Sequence, residues 1–281
     1  MTLLKSQNEQ AQQEIVGLFS RAADSYDSIG PRFFSQLGRH FVDVAELGVG
    51  SRVLDVAAGR GAFLFAAADK VGPQGRVIGI DLAANMVNKT CEDIHRRKLK
   101  NTQMLQMSAQ ALDFPDASFD WVLCGFALWF FPQPQQALRE MWRVLKPGGR
   151  VVLTTWAKNC PFITWIRKAL DDSLQALGMP PPALAPTLSF NTVKTLGCAL
   201  TKSGFGHIDI KTSDHDFIYT DTQQWWQSLW SHGIRSRFEQ LDVQQVDIVK
   251  ADLLRRAQEL MQPDGLHTLF QVLLAQAVKP L

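Results

Sequence analysis

The chain of 281 residues has few cysteines, and their spacing argues against two classes of protein. Cys91, Cys124, Cys160 and Cys198 stand far apart, with no CxxC pair and no Cys/His cluster. A structural zinc site needs such a cluster, and a disulfide scaffold is typical of small, cysteine-dense secreted domains. We therefore expect a cytoplasmic protein with reduced thiols and no metal ion.

Long apolar runs and an excess of charge are also missing. The longest apolar run, at about 121–131, is too short for a transmembrane helix, which needs ~20 residues. Lys and Arg total 29 against 27 for Asp and Glu, so the net charge is only +2, and the one basic run, at 95–100, has no aromatic platform beside it. We expect a small-molecule substrate, no nucleic acid and no stable membrane insertion. A monomer and a homodimer both stay open.

The middle of the chain alternates short apolar runs with segments of helical periodicity. Nearly continuous apolar strands separated by helices predict a parallel sheet covered on both faces, which is the Rossmann-like α/β class. An amphipathic helix precedes this region, and further helices and two strands follow it. We predict an N-terminal helical cap at 1–50, a Rossmann-like core at 51–158, and at 159–281 the rest of the core with an inserted helical substrate lid, at about 160–190 and 222–262.

The segment VLDVAAGRGAFLFAAA, residues 53–68, predicts a strand that leads into a ligand-binding loop and a helix. Gly59 and Gly61 allow the backbone to approach a ligand and to turn tightly into the helix. The free N–H groups at the start of that helix suit a carboxylate or a phosphate. The next strand ends in Asp81, whose carboxylate can accept hydrogen bonds from both hydroxyls of a ribose.

Two residues argue against a dinucleotide as the ligand. Leu64 stands where the GxGxxG fingerprint has its third glycine. Asp55 ends the first strand, and its negative charge repels a pyrophosphate but attracts an amino group. A ligand with both a ribose and an amino-acid tail is S-adenosyl-L-methionine (SAM), which becomes S-adenosyl-L-homocysteine (SAH) after methyl transfer. An NAD(P)-dependent oxidoreductase is the alternative that these residues disfavour.

Four segments in order carry a resemblance to a known family: VLDVAAGRG, VIGIDLAANMV, MSAQALDFPDASFDWVLCGFALWFF and ALREMWRVLKPGGRVVLTTW. Together they resemble the class I SAM-dependent methyltransferases, especially the branch that contains the quinone C-methyltransferases and their small-molecule relatives. The resemblance covers roughly 52–156. It implies a seven-stranded, mostly parallel sheet with helices on both faces, a helical lid, and SAM as the cofactor.

The resemblance also implies positions for residues along the cofactor. Asp55 would face the methionine amino group, directly or through water, and Asp81 the ribose hydroxyls. The others are the backbone of Ala57, Gly59 and Gly61 along the methionine and ribose, Leu82 and Met86 on the adenine, Ser108 and Ala109 at the adenine edge, the Cys124 carbonyl and Phe126 near the methionine tail, and Tyr26 closing over the ligand. Ser108 departs from the family, which usually has Asp there. Its hydroxyl both donates and accepts hydrogen bonds, and the Ala109 N–H can still hold adenine.

The sequence defines the methyl acceptor less closely. Trp225, Trp226 and Trp230, with Trp129 beside the cofactor strand, either form an aromatic pocket for a flat, apolar substrate or pack the lid against the core. His232 is a candidate catalytic base, with a structural role as its alternative. We expect methyl transfer to a small, largely apolar or aromatic metabolite of secondary metabolism. The alternatives are a quinone- or prenyl-type C-methyltransferase and a SAM-binding module without catalysis.

Overall fold

The computed structural model describes residues 2–179 and 190–281, with side chains from residue 10 onward. In chain order the elements of these ranges are α1 (Thr2–Ala22), α2 (Phe33–Ala45), β1 (Arg52–Val56), α3 (Ala62–Val71), β2 (Arg76–Asp81), α4 (Ala84–Arg96), β3 (Thr102–Gln106), β4 (Phe119–Gly125), a 3₁₀ helix (Leu128–Phe130), α5 (Pro134–Val144), β5 (Leu145–Trp156), α6 (Pro161–Ala176), α7 (Val193–Lys202), β6 (Gly206–Tyr219), α8 (Thr222–Leu229), α9 (Arg235–Phe238), α10 (Val243–Gln258), β7 (Met261–Gln262) and β8 (Gly265–Val278). None of these helices is both long enough and apolar enough to cross a membrane.

One sheet runs in the order β3-β2-β1-β4-β5-β8-β6, and β7 pairs with β8 beside this path. Strands β1 to β5 run parallel, whereas β8 runs antiparallel to both of its neighbours, β5 and β6. The predicted Rossmann-like, mostly parallel sheet is confirmed, and the two-residue strand β7 is an addition that the sequence did not predict. The strand order reverses between β1 and β4. Ligands of open α/β sheets bind at such a point, beyond the carboxyl ends of the strands.

Both faces of the sheet are buried, which explains why its central strands are continuously apolar. In β1, Val53, Leu54 and Val56 are fully buried. Adjacent residues of a strand point to opposite faces, so all three can be buried only because helices cover the sheet on each side. On one side α2 and α3 lie very close together, since a Cβ on Gly38 would be only 2.5 Å from the carbonyl oxygen of Ala62. Glycine at this position therefore sets the distance between the two helices.

Residues before α2 fix where this helix begins. Arg32 is in the left-handed conformation, at φ 53°, and cannot belong to the helix. The carboxylate of Asp27 accepts hydrogen bonds from the N–H groups of Phe34 at 3.1 Å and Ser35 at 2.8 Å. These bonds satisfy donors of the first turn that have no partner within the helix. The loop that carries Asp27 is thereby fastened to α2.

The lid is helical where it is described. Helices α6, α8, α9 and α10 pack around a core of their own, in which Trp225 is fully buried near Phe162 and Trp165. Ser173 of α6 donates a hydrogen bond to the carboxylate of Asp252 in α10 at 2.6 Å. The part of the predicted lid at 180–189 lies outside the described residues.

Candidate functional site

A cavity lies at the carboxyl edge of the sheet, beside the point where the strand order reverses. Its walls come from α1 and from the loops that follow β1, β2, β3 and β4. Its empty volume, including the open mouth, is ≈ 810 Å³. The cavity therefore lies where the topology predicts a ligand.

The loop after β1 turns its backbone toward this cavity. Ala57 and Gly59 line the cavity, and both are in the left-handed conformation, at φ 55° and 53°. Alanine in this conformation is strained, and strain of this kind is concentrated at functional sites. A Cβ on Gly59 would meet no atom within 4 Å, whereas one on Gly61 (φ 81°) would lie 2.5 Å from the ring of Phe65. The loop thus presents backbone to a ligand at Gly59 and turns tightly into α3 at Gly61.

Asp81 ends β2 and joins two of the loops that form the cavity. Its Oδ2 accepts a hydrogen bond from the Gly59 N–H at 2.9 Å, and its Oδ1 accepts one from the Ala83 N–H at 2.9 Å. Burial raises the pKa of this carboxyl, although the backbone hydrogen bonds act in the opposite direction. Each carboxylate oxygen has a further lone pair, so Asp81 can still accept hydrogen bonds from a ligand.

Asp55 is a buried carboxylate with an unsatisfied oxygen. It is 1% exposed, and its Oδ2 has no hydrogen-bond partner among the described residues. Burial raises its pKa well above the usual range, the negative charge of Asp81 adds to this, and a hydrogen bond from the Leu64 N–H acts in the other direction. An unpartnered buried carboxylate costs free energy, and a cationic donor placed beside it removes that cost. Asp55 therefore fits a ligand that carries an amino group.

The loop after β3 forms a polar edge of the cavity, lined by Ser108, Ala109 and Gln110. The Gln110 N–H donates to the Ser108 Oγ at 3.3 Å, and the Gln133 N–H donates to the Gln110 Oε1 at 2.7 Å. Each of the two side chains therefore already accepts one hydrogen bond from the protein. Their own donor hydrogens have no acceptor among the residues that the structure describes.

Helix α1 covers the cavity from the other side. Phe19 of this helix packs with Met86 of α4 and meets the ring of Phe130 edge to face, with 5.0 Å between the ring centroids. The guanidinium of Arg60 donates a hydrogen bond to the Ala23 carbonyl, just beyond the end of α1. The glycine-containing loop therefore holds the helix that closes the cavity.

Two rings that line the cavity, Tyr26 and Phe126, belong to a cluster of aromatic rings with Phe34, Trp156 and His232, which lie behind them and do not line the cavity. These five residues are called the aromatic cluster below. The ring of Phe34 is stacked with that of Tyr26 at 5.4 Å and lies 5.5 Å from that of Phe126, which in turn is 4.2 Å from Trp156. The imidazole of His232 lies 5.8 Å from the ring of Tyr26 and 5.6 Å from that of Phe34. Burial lowers the pKa of His232 to about 4, so the imidazole is neutral near pH 7.

Nine of the twelve residues predicted to lie along a cofactor line the cavity: Tyr26, Ala57, Gly59, Asp81, Leu82, Met86, Ser108, Ala109 and Phe126. Asp55 and Cys124 are buried near the carboxyl ends of β1 and β4 and do not line it, and Gly61 faces α3. The cavity has twelve further lining residues that were not assigned to the cofactor from the sequence: Gln12, Ile15, Val16, Phe19, Ala83, Met107, Gln110, Gly125, Ala127, Phe130, Phe131 and Pro132. The helical periodicity of α1 showed that this helix has an apolar face, but not which surface it covers.

The four tryptophans considered for a substrate pocket do not line this cavity. Trp225, Trp226 and Trp230 belong to the core of the lid, where the rings of Trp226 and Trp230 are 6.2 Å apart and that of Trp226 lies 5.0 Å from Phe238. Trp129 is buried in the main core. Of the two interpretations given above, this geometry fits packing, because the indole rings are occupied by neighbouring side chains.

Comparisons with known proteins agree with the resemblance noted in the sequence. A family model described as "Methyltransferase domain" matches residues 54–153. The chain is 38% identical over 149 residues to aklanonic acid methyltransferase DauC of a Streptomyces species, covering 53% of this chain and 68% of the relative. It is 29% identical over 248 residues to nocamycin O-methyltransferase of Saccharothrix syringae, with coverages of 85% and 89%. It is 33% identical over 158 residues to demethylmenaquinone methyltransferase of Listeria welshimeri, with coverages of 54% and 67%.

Solved structures share the fold. YcgJ from Bacillus subtilis matches with a TM-score of 0.57 and 18% identity, over 88% of this chain and 99% of the other. A candidate methyltransferase from Bacillus halodurans C-125 matches with a TM-score of 0.57 and 21% identity, over 86% and 98%. The chain belongs to the SAM-dependent methyltransferases and is an enzyme that transfers a methyl group from SAM to a small molecule.

Proposed function

We propose that the cavity holds SAM with its amino group toward Asp55, its ribose at Asp81 and its base at the edge formed by Ser108 and Ala109. The Oδ2 of Asp55, which has no partner among the described residues, carries this proposal, because an α-ammonium group supplies the missing donor either directly or through a water molecule, Asp55 itself lying behind the residues that line the cavity. A pyrophosphate would instead add negative charge beside a buried carboxylate.

The remaining predicted residues take positions along the same ligand. Leu82 and Met86 pack on the base, the backbone of Ala57 and Gly59 follows the ribose and methionine, and Phe126 and Tyr26 lie toward the methyl end. Gly61 and Cys124, which do not line the cavity, support the loops on either side of the ligand. SAM supplies a methyl group already activated by its sulfonium. The work left to the chain is to orient the acceptor in line with that methyl group and to exclude water, which α1 and the aromatic cluster do by covering the site.

We propose that the methyl acceptor is a small, largely apolar or aromatic metabolite bound against the aromatic cluster. The titratable side chains of this cluster are Tyr26 and His232, and burial raises the pKa of the first and lowers that of the second, so both are neutral near pH 7. A neutral aromatic wall favours a flat, apolar molecule. Relatives named for aklanonic acid and nocamycin support an acceptor from secondary metabolism, whereas the relative named for demethylmenaquinone supports the quinone-type alternative.

His232 is our candidate for a base that accepts a proton from an acceptor hydroxyl. Its pKa of about 4 keeps the imidazole unprotonated at neutral pH, as a base must be, although it also makes the imidazole a weak base. For an O-methylation we expect His232→Gln to lower kcat by about 10²–10⁴-fold while SAH still binds. The dependence of kcat on pH in both proteins checks this role. An unchanged kcat in the variant would leave His232 with packing alone.

Calorimetric titration with SAH tests the cofactor assignment. We expect Asp55→Asn to weaken SAH binding by about 10–150-fold, since a hydrogen bond between charged groups contributes about 1.5–3 kcal/mol. Asp247→Asn removes an exposed carboxylate from α10 and serves as the matched control, and NADH is the ligand control. Equal SAH affinity in wild type and Asp55→Asn, or binding of NADH instead, would contradict the proposal. A screen with labelled SAM against polycyclic phenols and quinols then separates the two acceptor classes.

We also propose that the enzyme acts in the cytoplasm and without a nucleic-acid partner. All four cysteines are free, which fits a reducing compartment, and the near-neutral net charge of +2 offers no strong field for a polyanion. Fractionation of cells checks the compartment, and sedimentation of the purified protein distinguishes a monomer from a homodimer.

A further inference from the structure

The end of the cavity that would hold the purine base, called the base end below, has side chains that both donate and accept hydrogen bonds. Among the described residues that line the cavity, Asp81 is the one carboxylate, and in the proposed function it belongs to the ribose. The edge that follows β3 offers instead the hydroxyl of Ser108, the N–H of Ala109 and the amide of Gln110. A carboxylate only accepts hydrogen bonds, whereas a hydroxyl and an amide both donate and accept them.

The contacts within the protein determine the orientation of these groups. The Gln133 N–H can only donate, so the atom of Gln110 that it meets at 2.7 Å is the carbonyl oxygen Oε1 and not the amide nitrogen. This leaves both hydrogens of Gln110 Nε2 without an acceptor in the described part of the chain. In the same way the Gln110 N–H donates to Ser108 Oγ at 3.3 Å, which leaves the hydroxyl hydrogen of Ser108 to donate and one lone pair to accept.

These orientations matter for purine recognition. The edge of adenine has a donor, the 6-amino group, next to an acceptor, N1. A 6-oxo purine reverses both, because O6 accepts and N1–H donates. A site strongly rejects such an analogue only when the exchange leaves a buried group unpaired or opposes two acceptors. Ser108 and Gln110 can pair with either edge, whereas a carboxylate at the position of Ser108 would oppose its negative oxygens to O6.

We propose that this enzyme binds SAM analogues whose purine carries an oxygen at C6 nearly as well as those with adenine, and that Ser108 sets this tolerance. The proposal rests on the proposed position of the cofactor. It concerns the specificity of the base end and is independent of which acceptor is methylated.

Calorimetry with two ligands tests it: SAH and S-inosyl-L-homocysteine, its deaminated 6-oxo analogue. For the wild type we expect the two dissociation constants to agree within about 10-fold. For Ser108→Asp we expect the ratio to widen by about 10–100-fold against the 6-oxo ligand, because an unpaired or opposed charged group is costly when buried. Ser108→Asn has the same size as the aspartate variant but keeps a donor, so its ratio is expected to stay close to that of the wild type.

The outcomes are distinguishable from failure of the cofactor assignment. If SAH itself does not bind, the proposed cofactor site is wrong. If SAH binds but the wild type binds S-inosyl-L-homocysteine more than about 10-fold more weakly, the tolerance of the base end is disproved. If the aspartate and asparagine variants give equal ratios, Ser108 does not set that tolerance. A wide ratio in the aspartate variant alone supports the proposal in full.

Discussion

Two regions are built in opposite ways: the residues at the ends of β1 and β2 and in the loop after β1, called the cavity edge below, and the core of the lid. At the cavity edge, Asp55 is buried with an oxygen that has no partner in the described chain, and Ala57 is held in a strained conformation at φ 55°. In the core of the lid, large rings such as Trp225 and Trp226 fill the space between helices. The lid therefore contributes packing free energy, whereas we infer that the cavity edge gives up stability that the proposed ligand restores. Four changes test this contrast, from the largest expected effect to the smallest.

Removing a large ring from the lid should cost the most stability. We expect Trp225→Ala to lower the free energy of unfolding by about 3–5 kcal/mol, as large core truncations do, and to change SAH affinity by less than about 3-fold. Trp225→Phe is the matched control: the indole N–H has no partner among the described residues, so its loss should cost far less. Urea unfolding and SAH titration give both quantities. A loss of SAH affinity as large as the loss of stability would show that the lid core and the cavity are one unit.

Removing the charge of Asp55 should raise the stability of the ligand-free protein, whereas removing the ring of Trp225 lowers it. Without ligand, we expect Asp55→Asn to raise the free energy of unfolding by about 1–3 kcal/mol, because it removes an unpaired buried charge. The same variant is expected to bind SAH more weakly, as described above. Urea unfolding with and without saturating SAH measures both effects. A ligand-free variant that is less stable than the wild type would mean that Asp55 already has a favourable partner in the protein.

The difference in stability between the wild type and Asp55→Asn should also depend on pH. The pKa of Asp55 is raised in the folded protein by burial, so above the usual value of 3.8 the folded state holds more protons than the unfolded state. Stability contributed by this group therefore falls as the pH rises through the raised pKa. We expect the stability advantage of Asp55→Asn over the wild type to be smallest near pH 4 and to grow as the pH rises. An advantage that does not change with pH would contradict the raised pKa.

The two ion pairs of Glu239, which directly follows α9, should have the smallest effect. Glu239 pairs with Arg21 at 2.6 Å and with Arg235 at 2.6 Å, and these partners, mainly Arg21, lower its pKa to about 2. The pairs are partly exposed, so we expect Glu239→Gln to cost only about 0.5–1 kcal/mol, and less in high salt. Because the pKa is lowered, this contribution is present above the usual value of 4.5 and is lost as the pH falls toward 2. Thermal unfolding at two salt concentrations measures it, and a larger effect at high salt would exclude an electrostatic cause.

Most residues of the cavity edge could be predicted because the patterns that mark them involve only neighbouring residues of the sequence. Asp55 and Asp81 each end an apolar strand, and Gly59 and Gly61 stand where a strand turns into a helix. The carboxyl ends of neighbouring parallel strands meet at one edge of a sheet, so knowledge of the strands brings these residues together. The abundance of tryptophan did not show where the tryptophan side chains lie, since an indole ring suits a pocket wall and a packed core equally well.

The sequence by itself determined the order of strands and helices, the class of fold and the residues at the ends of β1 and β2, because periodicity and loop chemistry depend on neighbours in the chain. Only the tertiary structure decided that α1 covers the cavity, that Trp225 and Trp226 lie inside the lid, and that Asp55 has an oxygen with no partner among the described residues. Each of these depends on which surfaces meet after folding and on which polar groups find a partner there. Hydrophobic burial is non-directional, so a hydrophobic pattern shows that one face of a helix or strand is covered but not which element covers it. The covering element is decided by the packing of the whole chain.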